Sequence, residues 1–141
     1  DVFYKDTYAD ALKALKDDRL IFTGYVYDPE ILAALYHHCY VYVHGHEFGG
    51  TNPTMIKAMA YGCAILALNT VFNKEMLTND LYGIYFEKNQ EAVRQQINYA
   101  DQYPKKIRDL RQNSHLGITD KYNWDCITDK YLEVFRRLTE K

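Results

Sequence analysis

Four short apolar runs, Leu20 to Val26, Tyr40 to His44, Ala64 to Leu68 and Gly83 to Phe86, alternate with segments of helical periodicity through the middle of the chain. Connections this short leave few topologies. A strand, a helix and a further strand in one sheet require a crossover, and repeated crossovers give a parallel sheet with helices on both faces. Leu20 to Val26 is continuous rather than alternating, and rich in β-branched and aromatic residues, the pattern of a strand buried on both sides; Ala64 to Leu68 also reads as a buried strand. The expected fold class is α/β, a Rossmann-like parallel sheet with flanking helices, followed after Pro104 by helices alone.

Periodicity and punctuation place the helices. Tyr8, Leu12 and Leu15 mark a short one ending near Lys16, and Asp28 as N-cap with Pro29 at the first position opens another that runs to about His38, with Ile31, Leu32 and Leu35 inward. Thr54 to Tyr61 should bury Met55, Ile56, Met59 and Ala60 and stop at Gly62. Phe72 to Leu77 reads as a short helix or turn, and Gln90 to Tyr103 as a longer helix. Ile107, Leu110 and Leu116 mark the next. Asn123-Trp124-Asp125 caps the last, with Ile127, Tyr131, Val134, Phe135 and Leu138 as its apolar stripe. At 141 residues the chain has the length of one domain, residues 1–141.

Charge excludes one large class of partner. A net charge of −2 and no Lys/Arg block give no footprint for nucleic acid. Cys39, Cys63 and Cys126 are widely spaced in or beside apolar segments, as reduced packing residues of a cytoplasmic protein would be. The longest nearly uncharged apolar run, Ala58 to Leu68, is too short to span a bilayer. No signal peptide is visible, and a chain that opens at Asp1 without methionine reads as a piece of something longer.

The stretch from His44 to Ala60 stands out. A strand runs in, a helix leaves, and between them lie Gly49-Gly50-Thr51-Asn52-Pro53. In doubly wound sheets ligands bind at the carboxyl ends of strands, where backbone N–H groups and the helix dipole favour anions. Three loops meet that description: Tyr25 to Pro29, His44 to Pro53, and Asn69 to Lys74. The glycines admit a close ligand, and Thr51 and Asn52 offer side-chain polar atoms, so a phosphate or a sugar fits; a plain turn with an N-cap fits equally. Neither G-x-G-x-x-G nor the Walker pattern is present. His46 is placed to bond a ligand oxygen or to orient the glycine loop. His37, His38, His44 and His46 lack a carboxylate or cysteine partner at convincing spacing, so neither a metal nor another cofactor is expected. No nucleophile motif occurs, and no catalytic residue can be named.

The order of elements, with Thr23-Gly24-Tyr25-Val26, Asp28-Pro29, Ala58-Met59-Ala60-Tyr61-Gly62 and Ala64-Ile65-Leu66-Ala67, resembles the donor-binding, C-terminal half of family 4 retaining glycosyltransferases of the GT-B fold. His44-Gly45-His46, Gly49-Gly50-Thr51-Asn52-Pro53 and Val71-Phe72-Asn73-Lys74-Glu75 resemble its rhamnosyltransferase-type branch. The likeness is good over roughly residues 20 to 90. It implies that Gly50, Thr51, Asn52 and Thr54 line the donor sugar and diphosphate, and that Tyr25, Val26 and Tyr27 meet the base. Two family glutamates fall at Gly49 and Lys57; glycine is common at the first in this branch, whereas lysine at the ribose position is not.

By the same resemblance the partners are a nucleotide diphosphate sugar and a glycan or lipid-linked acceptor. The acceptor would be held by an N-terminal domain that the chain lacks, as it lacks the upstream basic residues that stabilise the leaving diphosphate. The implied activity is transfer of a sugar, rhamnose among the candidates, onto a surface polysaccharide, with no turnover by this chain alone. The full-length protein would be cytoplasmic, with peripheral association at the inner face of the membrane as an option. Two alternatives stand beside it: a catalytically impaired domain of this fold kept for binding or assembly, with Lys57 marking the loss, and an unrelated parallel α/β ligand-binding domain.

Overall fold

A computed structural model describes residues 7–15, 17–119 and 121–139. They fall into two compact units, residues 1–32 and 33–141. In the first, helix α1 spans Thr7–Lys13, ending short of Lys16, which lies outside the described residues. The expected strand from Leu20 to Val26 does not form. Gly24 adopts φ +64°, which breaks an extended backbone, and the Leu20 N–H is committed to a turn with the Asp17 carbonyl at 2.9 Å. Leu20, Ile21, Phe22 and Tyr25 are exposed instead of buried. An apolar run supplies side chains for a strand, but a strand also needs a ladder partner.

Helix α2, Pro29–His38, opens as expected: the Asp28 carboxylate accepts the Glu30 and Ile31 N–H groups at 2.8 and 3.3 Å. Its phase differs from the sequence reading. Ile31 and Leu35 are exposed, and the less exposed stripe is Leu32, Tyr36 and Cys39, at i, i+4 and i+7. Tyr36 stacks on Tyr61 at 5.8 Å between centroids.

The second unit is built on three parallel strands, β1 (Val41–His44), β2 (Ala64–Leu68) and β3 (Gly83–Phe86), in spatial order β1-β2-β3. Val41 pairs with Ala64 and Leu66 with Ile84. The connections are helices α3 (Pro53–Ala60) and α4 (Val71–Met76); α5 (Gln90–Gln102), α6 (Pro104–Asn113), α7 (Leu116–Thr119) and α8 (Trp124–Thr139) follow. This is the α/β, Rossmann-like arrangement with C-terminal helices.

Every residue of β2 is buried, because it alone has a neighbour on each edge and cover on each face. Ile65 and Ala67 share a core with Met55, Ala58, Met59, Met76, Leu77 and Tyr82. Ala64 packs with Ala100, Ile107 and Leu110, and Leu66 and Leu68 with Phe86. Fully burying side chains such as Ile65, Leu66 and Ile107 is worth about 1.5–3 kcal/mol each.

In α3 the buried side is Met55, Ala58 and Met59; Ile56 is half-buried and Ala60 exposed, because the helix presents the i, i+3, i+4 stripe to the sheet. The helix closes with a Schellman pair, Cys63 N–H to Ala58 O and Gly62 N–H to Met59 O, both 3.0 Å. Leu116 belongs to α7 rather than to α6, which ends at Asn113 with Ser114 as its C-cap; the Ser114 hydroxyl is buried and donates to Met59 O at 3.2 Å. Helix α8 is capped by Asn123, whose side-chain oxygen accepts the Cys126 N–H at 2.8 Å. It buries none of its residues, and Tyr131, Val134, Phe135 and Leu138 are exposed. All three cysteines are free, with Cys39 and Cys63 sulfurs 3.3 Å apart. No helix among the described residues is long and apolar enough to cross a membrane.

Candidate functional site at the carboxyl edge of the sheet

Parallel strands deliver their loops to one edge, so the segments after His44, Leu68 and Phe86 converge. The loop after β1 is the longest, residues 45–52. Its last residue caps α3: Asn52 Oδ1 accepts Thr54 N–H at 3.0 Å, Met55 N–H at 3.3 Å and the Thr54 hydroxyl at 2.6 Å. Tyr42 extends the chain by donating its hydroxyl to Thr54 Oγ1 at 3.3 Å. The Ile56 N–H bonds Asn52 O at 3.1 Å, and Pro53 has no N–H. The start of α3 is therefore satisfied internally. An anion cannot use those groups without displacing the cap.

The free donors lie one step earlier. Gly49, Gly50 and Thr51 are exposed, and their backbone N–H groups have no partner among the described residues. Gly49 takes φ +115°, a conformation that L side chains rarely adopt, and a Cβ there would sit 3.6 Å from His46 Nε2. His46 thus lies against the glycine turn with its ring exposed to solvent.

His44 is 5% exposed, and its Nε2 is buried with no hydrogen-bond partner among the described residues. Burial, and secondarily the neighbouring His46, hold its pKa below the ordinary imidazole value, so it sits neutral in the core. Its ring stacks on that of Tyr42 and lies tilted to that of His46, with centroids 5.9 Å apart in each pair. Among the described residues no group of three or more His, Cys, Asp or Glu side chains is arranged to hold a metal.

Residues with no role in the sequence reading brace this loop. Asn73 of α4 is buried and donates Nδ2 to Leu68 O at 2.8 Å and to His46 O at 3.2 Å. Met76 accepts the Asn52 N–H on Sδ at 3.3 Å. Lys88, after β3, pairs with Glu47. Asn73 stands in the Val71-Phe72-Asn73-Lys74-Glu75 stretch that carries the resemblance, with no role attached to it there; the Met76 and Lys88 contacts had no signal.

The structure thus brings His46, Gly49, Gly50, Thr51, Asn52 and Thr54 to one rim. Lys57, one turn further along α3, is exposed, and its side chain has no hydrogen-bond or ion-pair partner among the described residues. Tyr25 and Tyr27 belong to the first unit, with Val26 between them; their exposed rings stack at 5.6 Å. The family model described as glycosyl transferases group 1 matches residues 4–100, a span that includes all three strands and the whole rim. The chain belongs to the group 1 glycosyltransferases. Searches of curated proteins and of solved structures each returned no match. For a group 1 glycosyltransferase the reaction class is glycosyl transfer from a nucleotide-sugar donor to a glycan acceptor. Backbone N–H groups such as those of Gly49, Gly50 and Thr51 can donate to the oxygens that a nucleotide sugar carries on both its sugar and its diphosphate.

Proposed function

We propose that this chain is the donor-binding, C-terminal half of a two-domain, retaining GT-B glycosyltransferase, residues 1–141 forming that one domain. The supporting observation is the row of N–H groups on Gly49, Gly50 and Thr51, without a partner among the described residues, at the carboxyl edge of a parallel sheet. In this reading those groups, with Asn52, Thr54 and His46, hold the donor sugar and diphosphate, and Tyr25, Val26 and Tyr27 meet the base. Catalysis is electrostatic: donors that grip the departing diphosphate lower the barrier as its charge develops. The acceptor, a glycan or lipid-linked glycan of a surface polysaccharide, binds another domain, so this chain alone does not turn over. Rhamnose is the donor sugar favoured by the likeness of residues 44–54 and 71–75 to that branch, and the whole enzyme works in the cytoplasm with peripheral contact to the membrane.

Titration of the isotopically labelled chain with nucleotide sugars carrying dTDP, UDP and GDP tests this reading. Shifts at residues 44–57 together with residues 25–27 support it; a panel that leaves the signals of residues 44–57 unmoved overturns it. One observation favours a second reading, a domain of this fold retained for binding or assembly. Lys57 places an ammonium, which can only donate, where the ribose hydroxyls would look for a carboxylate.

A further inference from the structure

The glycine loop is held at both ends by one short helix. At its start, the His46 carbonyl accepts from Asn73 Nδ2 at 3.2 Å; at its finish, the Asn52 N–H donates to Met76 Sδ at 3.3 Å. Asn73 and Met76 are three residues apart, so they share one face of α4. Both are buried, at 3% and 2% exposure. Helix α4 is itself fixed to the sheet: Asn73 Nδ2 also donates to Leu68 O at 2.8 Å, and the Thr70 hydroxyl accepts the Asn73 N–H at 3.1 Å. Among the described residues no bond internal to the loop does this work for Gly49 to Thr51, whose N–H groups have no partner there.

We propose that Asn73 and Met76 are positioning residues that set the span and orientation of the 45–52 loop, and thereby aim the Gly49, Gly50 and Thr51 N–H groups at the oxygens of a nucleoside diphosphate. The link to the ligand rests on the function proposed above; the link to the loop does not. The two side chains divide the task by chemistry. Asn73 supplies a two-pronged amide that ties the carboxyl end of β2 to the exit from β1. Met76 supplies a soft acceptor that leaves the Asn52 side chain free to cap α3. Neither touches the ligand, so each acts only through the loop.

Two variants separate positioning from general stability. Met76→Leu conserves volume and removes only the sulfur acceptor, and Asn73→Ala removes both amide bonds. Hydrogen exchange is read on the chain without ligand, comparing the Asn52 amide, the one loop N–H with a bonded acceptor among the described residues, with the amides of β2. The expected result is Asn52 exchange about tenfold faster in Met76→Leu, which removes its acceptor, and a few-fold faster in Asn73→Ala, which frees the start of the loop, beyond any change in β2, as loss of roughly one hydrogen bond implies. Asn52 exchange that rises only in step with β2, in both variants, overturns the proposal. A second arm titrates dTDP and UDP, with thymidine and uridine as phosphate-free controls. A diphosphate that binds the parent chain should bind the variants several-fold more weakly, with any nucleoside binding unchanged; equal diphosphate affinity in parent and variants overturns the aiming role. Absence of diphosphate binding by the parent chain overturns that role together with the proposed function, while the exchange result still decides whether α4 positions the loop.

Discussion

Thr54 and Asn52 are joined through a single oxygen: Asn52 Oδ1 takes the Thr54 hydroxyl at 2.6 Å and the Thr54 N–H at 3.0 Å. It also takes the Met55 N–H at 3.3 Å, so one side chain closes the start of α3. Asn52→Ala should cost about 1 kcal/mol of stability, the usual worth of an N-cap. Asn52→Asp, which keeps the acceptor and adds charge favourable to the dipole, should cost less. Urea unfolding followed by circular dichroism measures both; equal loss in the two variants would refute the cap as the cause.

His44 makes stability pH-dependent. Its folded-state pKa is depressed by burial, so the unfolded chain binds the proton more readily. The stability it contributes is complete above the unfolded value near 6.5 and is lost as pH falls from there through the lower folded value. Unfolding free energy should therefore decline from about pH 7 towards pH 5, and His44→Gln should flatten that slope. Denaturant midpoints across the range provide the comparison.

Gly117 is a packing requirement. A Cβ there would lie 2.7 Å from Met59 Cε and 2.7 Å from Tyr82 Cδ2. The methionine tip can yield, but the ring edge cannot retreat without moving a buried side chain. Gly117→Ala should cost about 1–3 kcal/mol, readable as a lowered thermal midpoint.

Cysteine reactivity should differ by position. Cys63 is fully buried, and burial together with Cys39 pushes its thiol up to about 12. On the order of one thiol in ten thousand is then ionised at pH 8. Iodoacetamide on the folded chain should label Cys39 and Cys126 and spare Cys63, and guanidinium should abolish the difference. Mass spectrometry of the digested chain reads each site.

Lys57→Glu tests the ribose position directly. A carboxylate can accept from both ribose hydroxyls, and a hydrogen bond to a charged group is worth about 1.5–3 kcal/mol, so affinity for a nucleotide sugar should rise about tenfold or more. Because Lys57 is exposed and has no ion-pair partner among the described residues, stability should hardly change. Calorimetric affinity unchanged by Lys57→Glu would show that the ribose does not lie there.

Elements with dense local signals were legible in the chain itself. Ala64 to Leu68 and Gly83 to Phe86 form strands with the expected limits, and the Asp28, Asn52 and Asn123 caps lie beside their helices. Leu20 to Val26 shows where such reasoning ends: composition speaks for a strand, while Gly24 and the missing ladder partner decide against it. Helix phase was misjudged at Ile31, Leu35 and Ala60 because small and apolar residues occur all round those helices. At the rim, the glycines advertise themselves. Their braces do not, because Asn73 and Met76 act across 27 and 24 residues of sequence, a separation no local pattern encodes.

The three-way use of Asn52 Oδ1 has a consequence for selectivity. With that acceptor filled, the rim has spare donors in its glycine turn and no spare acceptor on the cap. A ligand group pressed against Gly49, Gly50 and Thr51 must therefore bring lone pairs: a phosphate oxygen or a sugar hydroxyl satisfies them, and a protonated amine leaves every one of them facing another donor.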